Sequence, residues 1–299
     1  MVVIDPTGDW VVHNGRRMRA DEAAVRVSHP GFRYGLGLFE TILAVDGRGV
    51  CVADHLVRMR ASAEWLGLRG VPTAAQAARA IASLHEARPA KYGMVRIYLA
   101  ARSTQGPESD WTVTQEAIAA TELRALRRGA KSGISRWVQP TTHPLVAHKT
   151  LAYLDRWLTT RDARAAGHFD QIRLDEGGRV AEGSMSSVFA VLRGDLMTHP
   201  TAAGVLPGVT SARVLALAAN ARIPTVERPI HRDELAEVSE VFLTNSTKGV
   251  VPVLELDGKP VGNGKPGPAT LRLQKLLDQD TRRGLRGGTA GLRTPPRVP

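Results

Sequence analysis

One amine stands apart from the cationic surface of this chain. Seven lysines are set against thirty-three arginines, and Lys149 heads the run from His148 to Leu158, in which Leu151, Leu154 and Leu158 recur at helical spacing. The pattern predicts an amphipathic helix that packs one face inward and holds Lys149 in its first turn. An ammonium set against an apolar surface loses part of its hydration, which lowers its pKa. It then becomes a usable nucleophile and proton carrier, as Schiff-base chemistry requires. Taken alone, a lysine in a first helical turn also reads as a solvated end residue.

Four other pieces change the weight of that reading. Leu206-Pro207-Gly208-Val209-Thr210 puts a glycine turn ahead of a helix, so free backbone N–H groups and the positive end of a helix dipole converge on an anion. Asn245-Ser246-Thr247 follows a strand and offers hydroxyls to phosphate oxygens. Arg58 lies one residue off the buried stripe of its helix, where a guanidinium fork reaches a phosphate bidentately. Glu182, in Ala181-Glu182-Gly183-Ser184, is a carboxylate between two strand-like runs. If partly buried, it needs a cationic partner, and a protonated ring nitrogen would serve. Each piece alone has an ordinary explanation as a loop, a helix junction or a solvated side chain. Together, amine, anion cradle and carboxylate supply partners for the aldehyde carbon, phosphate and pyridine nitrogen of pyridoxal phosphate.

The chain resembles the class IV, or fold-type IV, pyridoxal-phosphate enzymes: the branched-chain and D-amino-acid aminotransferases and the aminodeoxychorismate lyases. The resemblance runs from about Val3 to Leu277. It is carried by Tyr34-Gly35-Leu36-Gly37-Leu38-Phe39-Glu40-Thr41, His55-Leu56-Val57-Arg58-Met59, His148-Lys149-Thr150-Leu151, Ala181-Glu182-Gly183-Ser184, Leu206-Pro207-Gly208-Val209-Thr210, and Ser246-Thr247 with Val251-Pro252-Val253. It implies an α+β, two-domain, D-amino-acid aminotransferase-like fold and a homodimer. Lys149 would form the Schiff base and shuttle the proton. Arg58, the backbone of Val209 and Thr210, and Ser246 or Thr247 would hold the phosphate, and Glu182 would pair with the ring nitrogen. Tyr153 would stand near the ring hydroxyl, although a packed core tyrosine has the same signature. Tyr34, Phe39 and Arg96 would line the substrate pocket, with Arg96 clasping a carboxylate. The implied reaction moves an amino group from a small-molecule amino donor to a 2-oxo acid. The alternative is an aminodeoxychorismate-type lyase that eliminates pyruvate to leave p-aminobenzoate. The family's frequent Asp, Asn and acidic residue are here Leu36, Ser187 and Gly249, and these departures do not choose between the two reactions.

The elements that must position these residues alternate strand and helix patterns. Strands are expected at Val2 to Val12, Phe39 to Val45, Gly93 to Ala101, Trp111 to Ile118, Ile134 to Gln139, Phe169 to Leu174, Arg179 to Ala181, Ser187 to Arg193, Glu240 to Thr244 and Val250 to Leu256. Helices are expected from Asp54 to Gly67, over Thr73 to Ala87, from Lys149 to Gly167, and from Thr210 to Asn220. Hairpins mixed with helices indicate α+β. The reading divides the chain into a small N-terminal domain (1–123), a linker (124–132), a larger domain carrying the Schiff-base lysine (133–280) and a disordered basic tail (281–299).

Composition bounds the rest. A chain of 299 residues, 43% apolar and 23% charged, buries a substantial core. Cys51 is the single cysteine, which excludes an internal disulfide framework and a cysteine-cluster metal site, so no metal is expected. Asp5 and Asp9 fall where a signal peptide needs an apolar run, and no stretch reaches membrane-spanning length. The expectation is a cytoplasmic protein with no membrane partner. The net charge of +11 is concentrated partly in the tail, where five arginines follow Thr281 with no acid. The rest is spread among acids without interleaved aromatics, so no nucleic-acid partner is expected.

Overall fold

The computed structural model describes residues 10–287, and these divide into two compact units. The strand expected before Trp10 and the tail beyond Gly287 lie outside the described residues. The first unit comprises residues 10–120, 149–152 and 283–287, and the second residues 121–148 and 153–282.

The first unit runs β1 (Trp10–His13), β2 (Arg16–Arg19), α1 (Pro30–Tyr34), β3 (Gly37–Val45), β4 (Arg48–Gly49), α2 (Val52–Trp65), α3 (Ala74–Ala87), β5 (Tyr92–Ala101) and β6 (Ser109–Ala117). Its strands form one antiparallel sheet in the order β2-β1-β6-β5-β3-β4. Strand side chains alternate between faces. Leu38, Ile42 and Ala44 of β3, with Val95, Ile97 and Leu99 of β5, therefore meet Leu56, Met59 and Ala63 of α2 and Ile81 and Leu84 of α3 in one core. The other face carries Phe39, Thr41, Arg96 and Tyr98. α3 starts on a capping box in which Thr73 and Gln76 serve each other's backbone N–H groups. α2 begins two residues before the expected Asp54, which lies in its first turn.

The second unit runs α4 (Ala120–Arg128), β7 (Ala130–Ile134), α5 (Leu154–Ala165), β8 (Asp170–Leu174), β9 (Arg179–Gly183), β10 (Ser187–Leu192), β11 (Asp195–Thr198), α6 (Val209–Asn220), β12 (Thr225–Glu227), β13 (Ile230–His231), β14 (Glu240–Asn245), β15 (Gly249–Leu256), β16 (Lys259–Pro260) and α7 (Pro268–Leu285). Its mixed sheet has the order β12-β11-β10-β14-β15-β7-β8-β9-β13, with β16 paired to β15. α6 and α7 cover one face through Val214, Ala218, Leu273 and Leu277, packed on Phe189 and Phe242. With helices set on an antiparallel sheet in the first unit and on a mixed sheet in the second, the fold class is α+β.

Three expectations shift. Residues 124–132, expected to be a linker, are the end of α4 and the start of β7, because Ala, Leu, Glu and Arg are strong helix formers. Arg127 ion-pairs with Asp278 of α7, and Lys248 with Glu122, fixing α4 in the second unit. The strand expected at Ile134 to Gln139 sits earlier, at Ala130–Ile134, where β7 finds parallel partners on both sides. Residues 281–285, expected in a disordered tail, complete α7, and Arg48 donates to the carbonyl of Leu285 at 3.1 Å. No helix among the described residues is long and apolar enough to cross a membrane.

Candidate active site

Lys149 is not in a helix. Residues 149–152 lie extended along β3: the Phe39 N–H donates to the Lys149 carbonyl at 2.9 Å, and the Leu151 N–H to the Gly37 carbonyl at 3.0 Å. Those bonds commit the segment to strand pairing, and α5 begins only at Leu154, after Tyr153 at the N-cap. The expected leucine stripe therefore combines a strand residue with helix residues, and Leu154 is 68% exposed. Glycines make room for this seat. A Cβ on Gly35, whose φ is +65°, would come within 2.9 Å of the Ala152 backbone, and one on Gly37 within 2.7 Å of the Leu151 side chain.

The Lys149 Nζ lies 4.3 Å from the centroid of the Phe39 ring, a cation–π distance. Phe39 in turn stacks on Tyr98 with centroids 6.3 Å apart. Strand register sets Tyr98 opposite Phe39 and Arg96 opposite Thr41, all on one face. The structure thus sets Lys149 against Phe39, on the sheet face that also carries Arg96. Arg96 is already ion-paired with Glu116 on β6. Tyr34 ends α1, 58% exposed, with the Arg33 guanidinium 4.9 Å from its ring.

Arg58 projects from α2 into the core of the first unit. Its Nε and one Nη grip both oxygens of Glu40, at 2.8 and 2.5 Å, while His55 Nδ1 stands 2.7 Å from Glu40. Burial pushes the Glu40 carboxyl up, but Arg58 and His55 more than offset this and hold it at about 2. Burial pushes His55 below its ordinary value, so near neutral pH Arg58 supplies the compensating charge and His55 a hydrogen bond. Glu40 was legible as a carboxylate at an inward position of an alternating strand, between Leu38 and Ile42.

In the second unit Glu182 is 3% exposed at the end of β9. The cation that burial demands is present in the chain: Arg156 of α5 ion-pairs with Oε1, which also accepts from Gln139 Nε2 at 2.7 Å. Oε2 accepts from the Leu206 N–H at 3.4 Å. Tyr153 donates to the Ser184 carbonyl at 3.0 Å, and burial pushes its hydroxyl up to about 12. The following turn is pinned by Asp170, which accepts from Ser184 Oγ at 2.5 Å and Ser186 Oγ at 2.6 Å and whose carboxyl burial pushes up.

Beside this lies the start of α6. Gly208 is the N-cap, no side chain caps the helix, and Val209 and Thr210 are buried in its first turn. Thr210 Oγ1 donates to Ser246 Oγ at 3.4 Å, joining the helix start to the loop after β14. Thr247 is turned inward differently: its hydroxyl and N–H both donate to Asn245 Oδ1, at 3.3 and 3.2 Å. Sequence reading missed Glu40, Tyr98, Glu116, Gln139 and Arg156, each a partner supplied by another element.

The chemistry of this donor set fits pyridoxal phosphate. An uncapped 12-residue helix start with hydroxyls beside it suits a dianion. A buried carboxylate carrying three protein donors keeps acceptor capacity for a ring N–H. Among the described residues, no group of three or more His, Cys, Asp or Glu is placed to hold a metal ion.

Comparison with known proteins agrees. The profile of the amino-transferase class IV family matches residues 37–256. D-alanine aminotransferase from Bacillus licheniformis is 27% identical over 278 residues, covering 89% of this chain and 95% of the relative. Branched-chain-amino-acid aminotransferase from Salmonella typhimurium is 29% identical over 284 residues, covering 90% and 92%. The crystal structure of a branched-chain aminotransferase from the thermophilic archaeon Thermoproteus uzoniensis, with norvaline, superposes with a TM-score of 0.82 at 27% identity, covering 91% of this chain and 94% of that one. These relatives are all named as aminotransferases, and the lyase alternative is not favoured. The chain belongs to the class IV aminotransferases, pyridoxal-phosphate-dependent enzymes that transfer an amino group between an amino acid and a 2-oxo acid.

Proposed function

We propose that this chain transaminates with Lys149 as its catalytic amine. Bound pyridoxal phosphate supplies an aldehyde carbon and an electron-withdrawing ring. Lys149 would be the amine that holds that aldehyde and the group that carries a proton at its Nζ. Glu182 would accept a hydrogen bond from the ring nitrogen and favour its protonated form. The N–H groups of Val209 and Thr210, the Ser246 and Thr247 hydroxyls and Arg58 would hold the phosphate, and Tyr153 would stand by the ring hydroxyl. Tyr34, Phe39 and Arg96 line the substrate side, Arg96 receiving a carboxylate. The enzyme works as a homodimer in the cytoplasm, where a single buried thiol, Cys51, is no liability. The observation that carries this reading is the seat of Lys149, a half-buried amine fixed along β3 with its Nζ 4.3 Å from an aromatic ring.

The test is a half-reaction screen. Holoenzyme mixed with single amino acids, D-alanine and L-leucine among them, is expected to lose its visible absorption as the cofactor takes the amino group. Lys149→Ala is expected to abolish both the band and turnover. A fully active alanine variant refutes the assignment, and p-aminobenzoate release from aminodeoxychorismate would move the enzyme to the elimination reaction.

A further inference from the structure

One face of α5 grips the end of β9. Tyr153, Arg156 and Thr160, spaced three and four residues apart, all reach residues 182–184. Tyr153 donates to the Ser184 carbonyl at 3.0 Å, and Thr160 Oγ1 lies 2.8 Å from Ser184 Oγ. Arg156 reaches furthest. One Nη ion-pairs with Glu182 Oε1, and the other points at the carbonyls of Gly183 and Ser184, at 3.5 and 3.4 Å. The ion pair is buried, with 12% of the Arg156 side chain and 4% of the Glu182 side chain exposed. Arg173 of β8 stands close enough to oppose Arg156 electrostatically, but its own guanidinium is tied to Asp155 at 2.9 Å and to the Val138 carbonyl at 2.9 Å. Arg156 is therefore the cation committed to Glu182. The two strong donors, Arg156 and Gln139, both act on Oε1, and among the described residues Oε2 meets only the long contact from Leu206.

We infer that Arg156 is a positioning residue for Glu182: it compensates the buried carboxylate before any cofactor arrives and fixes it through Oε1, so that Oε2 is the oxygen presented to the ring nitrogen. The inference rests on the proposed pairing of Glu182 with that nitrogen. A carboxylate stripped of its cation in a buried place is costly, whereas neutralising both members of the pair costs less. A fork also fixes direction in a way a point charge does not.

The test compares the wild type with Arg156→Gln, Arg156→Lys, Glu182→Gln and the Arg156→Gln/Glu182→Gln double variant, each purified with and without pyridoxal phosphate. In the cofactor-free proteins, Arg156→Gln is expected to lower the unfolding midpoint by roughly 5 °C or more, with partial recovery in the double variant. With cofactor bound, Arg156→Gln should slow the amino-acid half-reaction on the order of ten- to a hundredfold and shift the visible band. Arg156→Lys should recover the cofactor-free midpoint but only a minor part of that rate, since a point charge compensates the carboxylate without fixing its direction, and the same Arg156→Gln change in the Glu182→Gln background should cost under about twofold. Equal losses in both backgrounds, or an Arg156→Gln enzyme with wild-type band and rate, would overturn the inference. If the wild type takes up no pyridoxal phosphate, the functional proposal fails instead, and the cofactor-free midpoints still decide whether the ion pair acts as described.

Discussion

Each unit buries a glutamate against an arginine, Glu40 with Arg58 in the first and Glu182 with Arg156 in the second, and the two pairs are finished differently. Both Glu40 oxygens are taken by one guanidinium fork, a histidine adds a third donor, and the cluster sits between a sheet and a helix in a continuous apolar core. At Glu182 the donors crowd one oxygen and leave the other with a long backbone contact, at the end of a strand beside an uncapped helix start. A carboxylate saturated by its own protein suits stability, and one held in place with acceptor capacity left suits a ligand. The same residue pair thus carries different consequences according to how many lone pairs the fold has already occupied.

Substitutions can break this comparison, and they rank by size. Lys149→Ala, which removes the amine itself, should reduce turnover by at least about 10³-fold while leaving the unfolding midpoint nearly unchanged, measured by half-reaction absorbance and thermal scans. Glu182→Gln should retain cofactor but lose about 10²-fold in rate, on the scale of one charge-stabilising group. Glu40→Ala should act first on stability, costing about 3 to 5 kcal/mol in denaturant unfolding because it strands Arg58 in the core. A Glu40→Ala enzyme of undiminished stability, or a Glu182→Gln enzyme of undiminished rate, erases the distinction.

Acid sharpens it further. The Glu40 carboxyl is held at about 2 in the fold against 4.5 outside it, so its contribution is complete above about pH 5 and fades as pH falls towards 2. That contribution is about 3 kcal/mol, and the low-pH limb of a stability curve should flatten in Glu40→Gln. The smallest effect belongs to the half-exposed face of the first sheet. Glu116→Gln frees Arg96 from a partly solvated partner worth under about 1 kcal/mol, so KM for a carboxylate substrate should fall up to about fivefold with kcat unchanged. An unchanged KM would remove Arg96 from the substrate side.

Much of the chain could be read directly. The inward alternation of β3 and β5, the capped α3, and the strand runs of β8 to β10, β14 and β15 follow from local pattern, because each element's period is written in consecutive residues. Where local pattern misled, a distant partner decided. Lys149 has helical neighbours by spacing, yet two backbone bonds to β3, more than a hundred residues earlier, hold it extended. The charged stretch after Ala120 is helical by its own propensity, and the ion pair of Arg127 with Asp278 seats it against α7.

By itself the sequence determined the chemistry on offer: one distinctive amine, a carboxylate in a strand, a glycine turn before a helix, and six blocks that mark a family. Those signals are local and survive without coordinates. Only the tertiary structure decided what each group touches. It set Lys149 against Phe39, closed Arg58 on Glu40, and gave Glu182 the guanidinium of Arg156. The reason is physical: a buried charge is stabilised by whichever partner the packing brings within hydrogen-bond reach, and that choice depends on how helices and strands meet, not on spacing along the chain.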